Sequence, residues 1–97
     1  MKKFQVTIRF EMDEQFMALI PAHRVYINRL IEKDIIDQYV VSMESQRLWI
    51  TLNAIDKEEV DKRLKLSPIY KYWSPVEIDE LYVIDGQHYR LPGLQLN

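Results

Sequence analysis

The chain has 97 residues, 47% of them hydrophobic and 29% charged, the make-up of one folded, water-soluble domain. Thirteen basic against fifteen acidic side chains leave a net charge of -2, without the basic excess that nonspecific binding to nucleic acid or an anionic membrane needs. With no cysteine, disulfides, thiolate metal sites and cysteine nucleophiles are excluded, and His23 and His88 are too few for a histidine-rich metal cage.

There is no internal repeat, low-complexity tract or linker, and both glycines fall after residue 85. No apolar run approaches the roughly 20 residues that span a bilayer. Met1-Lys2-Lys3 leads into no signal-peptide core, so a cytoplasmic location is expected. Residues 4–12 alternate: Phe4, Val6, Ile8, Phe10 and Met12 point one way, Gln5, Thr7, Arg9 and Glu11 the other. That period predicts a strand with one apolar and one semi-exposed face. Asp13 then stands as a helix N-cap with Glu14 in the first turn, and Met12 and Met17 are placed as a hydrophobic staple. Phe16, Ile20, Ile27, Leu30 and Ile31 continue an apolar stripe at helical spacing. Pro21 either kinks this helix or divides it into two. The helix ends around Glu32 to Asp34 without a closing glycine.

Residues 35–43 and 48–54 read as a hairpin. A four-residue loop, Glu44-Ser45-Gln46-Arg47, sets Met43 opposite Leu48, Val41 opposite Ile50 and Tyr39 opposite Leu52, making one face wholly apolar. A three-residue loop would bring Gln38 and Ser42 among the leucines, so the four-residue loop is preferred. Asp56 and Glu59 form a capping box, with Ile55 and Val60 as its staple, for a helix from Lys57 to about Leu66 that turns Val60 and Leu64 inward. Ser67-Pro68 breaks it. The aromatic stretch Ile69-Tyr70-Lys71-Tyr72-Trp73 leads to a last strand from about Val76 to Ile84, whose alternation falters at Asp79-Glu80 as at a bulge or an exposed edge. Residues 1–85 form the domain, and 86–97 a leucine-bearing tail expected to pack on a dimer partner.

The order β-α-β-β-α-β is that of an α+β, ferredoxin-like domain: a four-stranded antiparallel sheet with both helices on one face. Its open face carries Thr7, Val40, Trp49 and Thr51 beside Arg9 and Glu11, and a symmetric dimer would cover it.

Two stretches carry a family resemblance. Ala22-His23-Arg24-Val25-Tyr26-Ile27-Asn28-Arg29-Leu30 looks like the first helix of YCII-like proteins, with their His-x-x-Tyr arrangement. Leu66-Ser67-Pro68-Ile69-Tyr70-Lys71-Tyr72, followed by Val76-Glu77-Ile78, resembles the segment before the last strand of muconolactone delta-isomerase. Both groups belong to the dimeric α/β-barrel assemblage, and the resemblance covers roughly residues 4–84. It implies a pocket between sheet and helices near the His-bearing helix. It also implies an active histidine, which His23 matches, paired with an Asp-Pro aspartate. The chain departs from the pattern there: Ser67-Pro68 stands in place of Asp-Pro, so the carboxylate is missing. On the family pattern Tyr26 is a pocket wall or a hydroxyl donor.

From the residues themselves, His23 lies near the inward stripe of the first helix, and an imidazole near its ordinary pKa of about 6.5 suits proton transfer. Arg24 and Arg29 suit an anionic ligand by bidentate hydrogen bonds, or else form a solvated face. Tyr39, Trp49, Tyr70, Tyr72 and Trp73 are enough aromatic surface to line an apolar cavity, a core or a dimer interface. Glu77 and Asp79 share one strand face and read as an exposed acidic edge. His88, Tyr89 and Arg90 either reach into a partner's pocket or make a surface tail contact, the second being preferred. RNA-binding domains share this element order, but Arg47-Leu48-Trp49-Ile50-Thr51 lacks the glycine and the second aromatic of their signature.

The expectation is a homodimer or higher homo-oligomer that binds a small ligand, without metal, cofactor, nucleic acid or membrane. As an enzyme it would be a cofactor-free isomerase or proton-transfer catalyst on a small carboxylated or lactone metabolite. His23 is then catalytic, and Tyr26, Arg24, Ser67 and Tyr70 bind substrate. The alternative is a non-catalytic ligand-binding or assembly module.

Overall fold

A computed structural model gives the structure of residues 1–85. The first alternating segment forms strand β1 (Lys2–Phe10), which buries Phe4, Val6, Ile8 and Phe10. Helix α1 (Glu14–Glu32) follows, and the Asp13 carboxylate caps it by accepting the Phe16 N–H at 2.7 Å. The helix runs through Pro21 as one element, so the division into two helices does not occur. Its end shows why no glycine is needed. Asp34 takes a left-handed backbone (φ 59°), its N–H meets the Ile31 carbonyl at 3.0 Å, and the Ile35 N–H meets that of Leu30 at 2.9 Å. These are the two bonds of a Schellman closure, made with a residue type whose short polar side chain lets it enter the left-handed region, at some cost relative to glycine. Ile31 is 39% exposed, at the edge of the stripe rather than inside it.

The hairpin comprises β2 (Ile36–Ser42) and β3 (Arg47–Ala54). Its loop has four residues, as expected, but they are residues 43–46, with Gln46 left-handed at φ 52°. Val41 therefore pairs with Leu48 and Tyr39 with Ile50, two residues away from the predicted pairing. A shift of two keeps every side chain on its predicted face, which is why side-chain sorting could not detect it. A bulge between Ile36 and Gln38 changes phase and turns Ile36 into the core opposite Leu52. Asp37, at the bulge, takes hydrogen bonds from Lys3 and Asn53.

Helix α2 (Lys57–Lys65) is capped as its sequence dictates: Asp56 accepts the Glu59 N–H at 2.9 Å, and Glu59 reaches back to the Ile55 N–H at 2.7 Å. Val60 and Leu64 are its buried residues, while Ile55 is 65% exposed and makes no staple. A 3-10 turn at Tyr70–Tyr72 precedes strand β4 (Trp73–Glu80). This strand begins earlier than predicted because Trp73 pairs with Phe10 beyond an irregularity in β1. It ends earlier, at Glu80 opposite Phe4, with the Leu81 N–H on the Lys3 carbonyl at 2.9 Å. The predicted tail, residues 86–97, lies outside the described residues.

The sheet order is β2-β3-β1-β4, antiparallel throughout, with both helices on one face. This is the ferredoxin-like α+β fold. Val40, Trp49, Thr7 and Glu77 lie in one row across the open face. Glu77 and Asp79 stand exposed on that face of the edge strand, as expected.

Candidate functional site

The apolar stripe of α1 reads Phe16, Ile20, His23, Ile27 and Leu30, so the histidine occupies a core position in a hydrophobic series. It is 1% exposed. An imidazole in that place needs partners for both nitrogens. Nδ1 lies 2.8 Å from Ser67 Oγ, in the turn after α2, and Nε2 lies 2.7 Å from the Tyr39 hydroxyl on β2. Ser67 Oγ also accepts the Ile69 N–H at 3.3 Å, which fixes the serine. The indole of Trp73 closes the ring in, edge-on, at 5.7 Å.

Burial, with a smaller contribution from the Arg24 cation, pushes the His23 pKa down to about 4. Burial likewise pushes Tyr39 up to about 12. At neutral pH both rings are uncharged. The imidazole then donates from one nitrogen and accepts at the other, so Ser67, His23 and Tyr39 form a directional chain with two possible senses.

This chain borders a cavity of about 210 Å³ between α1 and the apolar face of the hairpin. Phe10, Phe16, Leu48 and Ile69 form apolar walls, and His23, Arg24 and Tyr39 are its polar members. Three of the chain's four methionines, Met12, Met17 and Met43, also line it, two of them more than half exposed. Flexible thioethers let such a rim adapt to ligands of different outline. The Arg24 guanidinium lies 5.4 Å from the centre of the Tyr39 ring, so a fixed cation sits beside the phenol.

Of the five predicted site residues, His23, Ser67 and Arg24 come together here. Tyr26, one turn further along α1, lies outside the cavity: its hydroxyl donates to the Arg63 carbonyl at 2.7 Å in a small hollow shared with Ser67 and Trp73. Tyr70 packs edge-on to Trp73 at 6.1 Å and does not line the cavity. The residue that sequence reasoning left among the general aromatic supply is Tyr39. Its signal was present: a tyrosine placed by alternation on an otherwise apolar strand face needs a hydroxyl partner, and the histidine in the facing helical stripe is the available one. Among the described residues no three of His, Cys, Asp and Glu converge as metal ligands, and no helix is long and apolar enough to cross a membrane.

No protein-family model and no curated protein matches the chain in sequence. Solved structures do match it in fold. The chain is similar to 5-chloro-2-hydroxyhydroquinone dehydrochlorinase from Burkholderia phenoliruptrix AC1100, solved with 2,5-dihydroxybenzoquinone, at TM-score 0.61 and 14% identity over 88% of this chain and 97% of that one. It is also similar to an antibiotic biosynthesis monooxygenase, at TM-score 0.55 and 10% identity over 88% of this chain and 100% of that one. At these identities the likeness establishes the ferredoxin-like fold.

Proposed function

We propose that this chain binds a small, flat, carboxylated or lactone-type metabolite in the cavity beside α1 and moves a proton on it without metal or cofactor, as a muconolactone isomerase-like protein of the dimeric α/β-barrel kind. One observation carries the reading: among the described residues the one buried titratable side chain, His23, borders the cavity instead of being sealed in the core. Arg24 beside it supplies a cation for the carboxylate, and the apolar walls take the ring. The dehydrochlorinase that shares the fold holds a flat oxygenated ring, which supports the size and shape class of the ligand and goes no further. The open sheet face, with Trp49 between Val40 and Thr7, is the surface through which two copies would pair.

A second reading, a binding module without turnover, has one observation in its favour. With its pKa near 4 the imidazole is a weak base at neutral pH until something in the site changes its charge balance. An anionic ligand does that by neutralising Arg24 and attracting a proton to His23. The deciding experiment follows the His23 ring by NMR while benzoate, muconolactone and phenylpyruvate are added, and monitors isomerisation of the last two. Ring signals that move with ligand, together with turnover, support the enzyme. Movement without turnover selects the binding module, and no response to any of the three removes the site.

A further inference from the structure

We infer that Tyr39 is the group that touches the ligand and carries the proton to and from it, with His23 holding that proton behind it and Ser67 positioning the imidazole. This rests on the cavity being the ligand site. It assigns the contact to a residue that lies outside the histidine helix.

The argument begins from hydrogen-bonding capacity. Both nitrogens of His23 are already committed within the protein, to Ser67 at 2.8 Å and to Tyr39 at 2.7 Å. The ring is 1% exposed. A ligand therefore finds no free nitrogen on it. The Tyr39 hydroxyl, by contrast, has one hydrogen and two lone pairs, and its bond to Nε2 uses only part of that capacity. Tyr39 is half-buried, lines the cavity and lies under the Arg24 cation. Ser67 Oγ accepts from the Ile69 N–H, and in the sense of the chain in which it also accepts from Nδ1, Nε2 is the acceptor facing the phenol.

In that arrangement a proton shift balances within the site. A ligand C–H or O–H gives its proton to Tyr39 Oη as the phenolic proton passes to Nε2. The products are a neutral tyrosine, an imidazolium donating from Nδ1 to Ser67, and a ligand anion whose electron pair stays on the ligand. Reversal returns a proton from Tyr39 to a different ligand atom and restores the neutral imidazole. No oxidant, reductant or second catalytic base is consumed, so the reaction class is a 1,n-proton shift, such as keto–enol or double-bond isomerisation. The ligand carboxylate beside Arg24 makes the transient imidazolium tolerable in a buried place, so an acidic ligand is required and its neutral amide should not react.

The test uses the full chain, phenylpyruvate as the probe, and the variants Tyr39→Phe and Ser67→Ala. Imidazole nitrogen signals are recorded first without the probe. Tyr39→Phe should shift Nε2 and leave Nδ1 nearly unchanged, whereas Ser67→Ala should alter Nδ1 and the ratio of the two ring tautomers. Exchange of the probe's benzylic protons with D2O is then followed. The wild type should exchange them. Tyr39→Phe should bind phenylpyruvate within about threefold of wild type yet lose about a hundredfold or more in exchange, the usual contribution of a positioned acid–base group. Ser67→Ala should lose less and displace the pH profile of exchange, which a purely structural loss would not do. An unshifted Nε2 in free Tyr39→Phe, or wild-type exchange by that variant, overturns the role of Tyr39 while leaving the cavity as the ligand site. Failure of the wild type to bind or exchange the probe overturns both.

Discussion

The imidazole of His23 on α1 and the phenol of Tyr39 on β2 share one hydrogen bond of 2.7 Å, and at neutral pH neither ring is charged. The bond joins a helix stripe to a strand face inside an otherwise apolar layer. Losing Tyr39 leaves Nε2 of the buried imidazole unsatisfied, which makes the pair more expensive to break from that side than its net strength suggests.

The first prediction concerns acid. Folding holds His23 near pKa 4, whereas in the unfolded chain it titrates near 6.5. Well above pH 6.5 neither form is protonated and the native state keeps its full stability. Between pH 6.5 and about 4 the unfolded chain takes up a proton that the native chain refuses, so stability falls as pH is lowered, by on the order of 3 kcal/mol across the window. Thermal melts of the wild type and His23→Asn over that range should show the slope in the first and a flatter curve in the second. Parallel curves would contradict the depressed pKa.

Removing the neighbouring cation should act in the opposite sense. Arg24 lowers the His23 pKa, so Arg24→Gln should move the imidazole titration upward toward its ordinary value. The same change should weaken benzoate binding by about tenfold, the lower range of a charge-assisted hydrogen bond. NMR titration measures both effects on one sample.

Ser67→Ala leaves Nδ1 facing a methyl group in a buried site. Chemical denaturation should find a loss of about 1–3 kcal/mol, with the midpoint displaced and the slope unchanged. A surface control, Lys62→Ala on the exposed side of α2, should stay within about 0.5 kcal/mol.

The end of α1 offers a stabilising change. Asp34 sits at φ 59°, and glycine takes that conformation without a Cβ penalty. Asp34→Gly should raise stability by up to about 1 kcal/mol, partly offset by the greater freedom of glycine in the unfolded chain. A drop in the melting temperature would show that the Asp34 side chain contributes more than its backbone costs.

The proposed pairing of two copies through the open face predicts a dimer mass by light scattering at micromolar concentration. Trp49→Glu, at the centre of the open face between Val40 and Thr7, should give a monomer with an unchanged circular dichroism spectrum. A wild-type monomer would rule out pairing through this face.

The elements were legible because their signals are local. Alternation in β1, the Asp13 and Asp56 caps and the stripe of α1 each depend on neighbours within a few residues, and each took the form expected apart from Ile31 at the stripe's edge. The hairpin register was not, because a two-residue slide preserves every face and its energetic consequences lie in loop geometry such as Gln46 at φ 52°. The start of β4 at Trp73 depends on an irregularity in β1 that no period reveals. At the site, His23 was legible as a polar residue in an apolar stripe. Its partners were less so: Ser67 entered through a family pattern, and Tyr39 only as a tyrosine that alternation set on an apolar face, with its partner unnamed. That contact requires knowing which strand lies beneath which helix turn, information held by the topology.

The two bonds of His23 also bear on how long a native molecule lasts. They span 16 and 44 residues, joining a helix, a hairpin strand and the turn that follows the second helix. Each forms only once those pieces have met, and the folding and unfolding rates of Ser67→Ala against denaturant tell whether that happens before or after the folding transition state. Interactions absent from the folding transition state alter the unfolding rate and leave the folding rate nearly unchanged. A loss confined to the unfolding rate would make this polar contact at the edge of a small cavity a determinant of how long the folded chain lasts, and not of how quickly it is made.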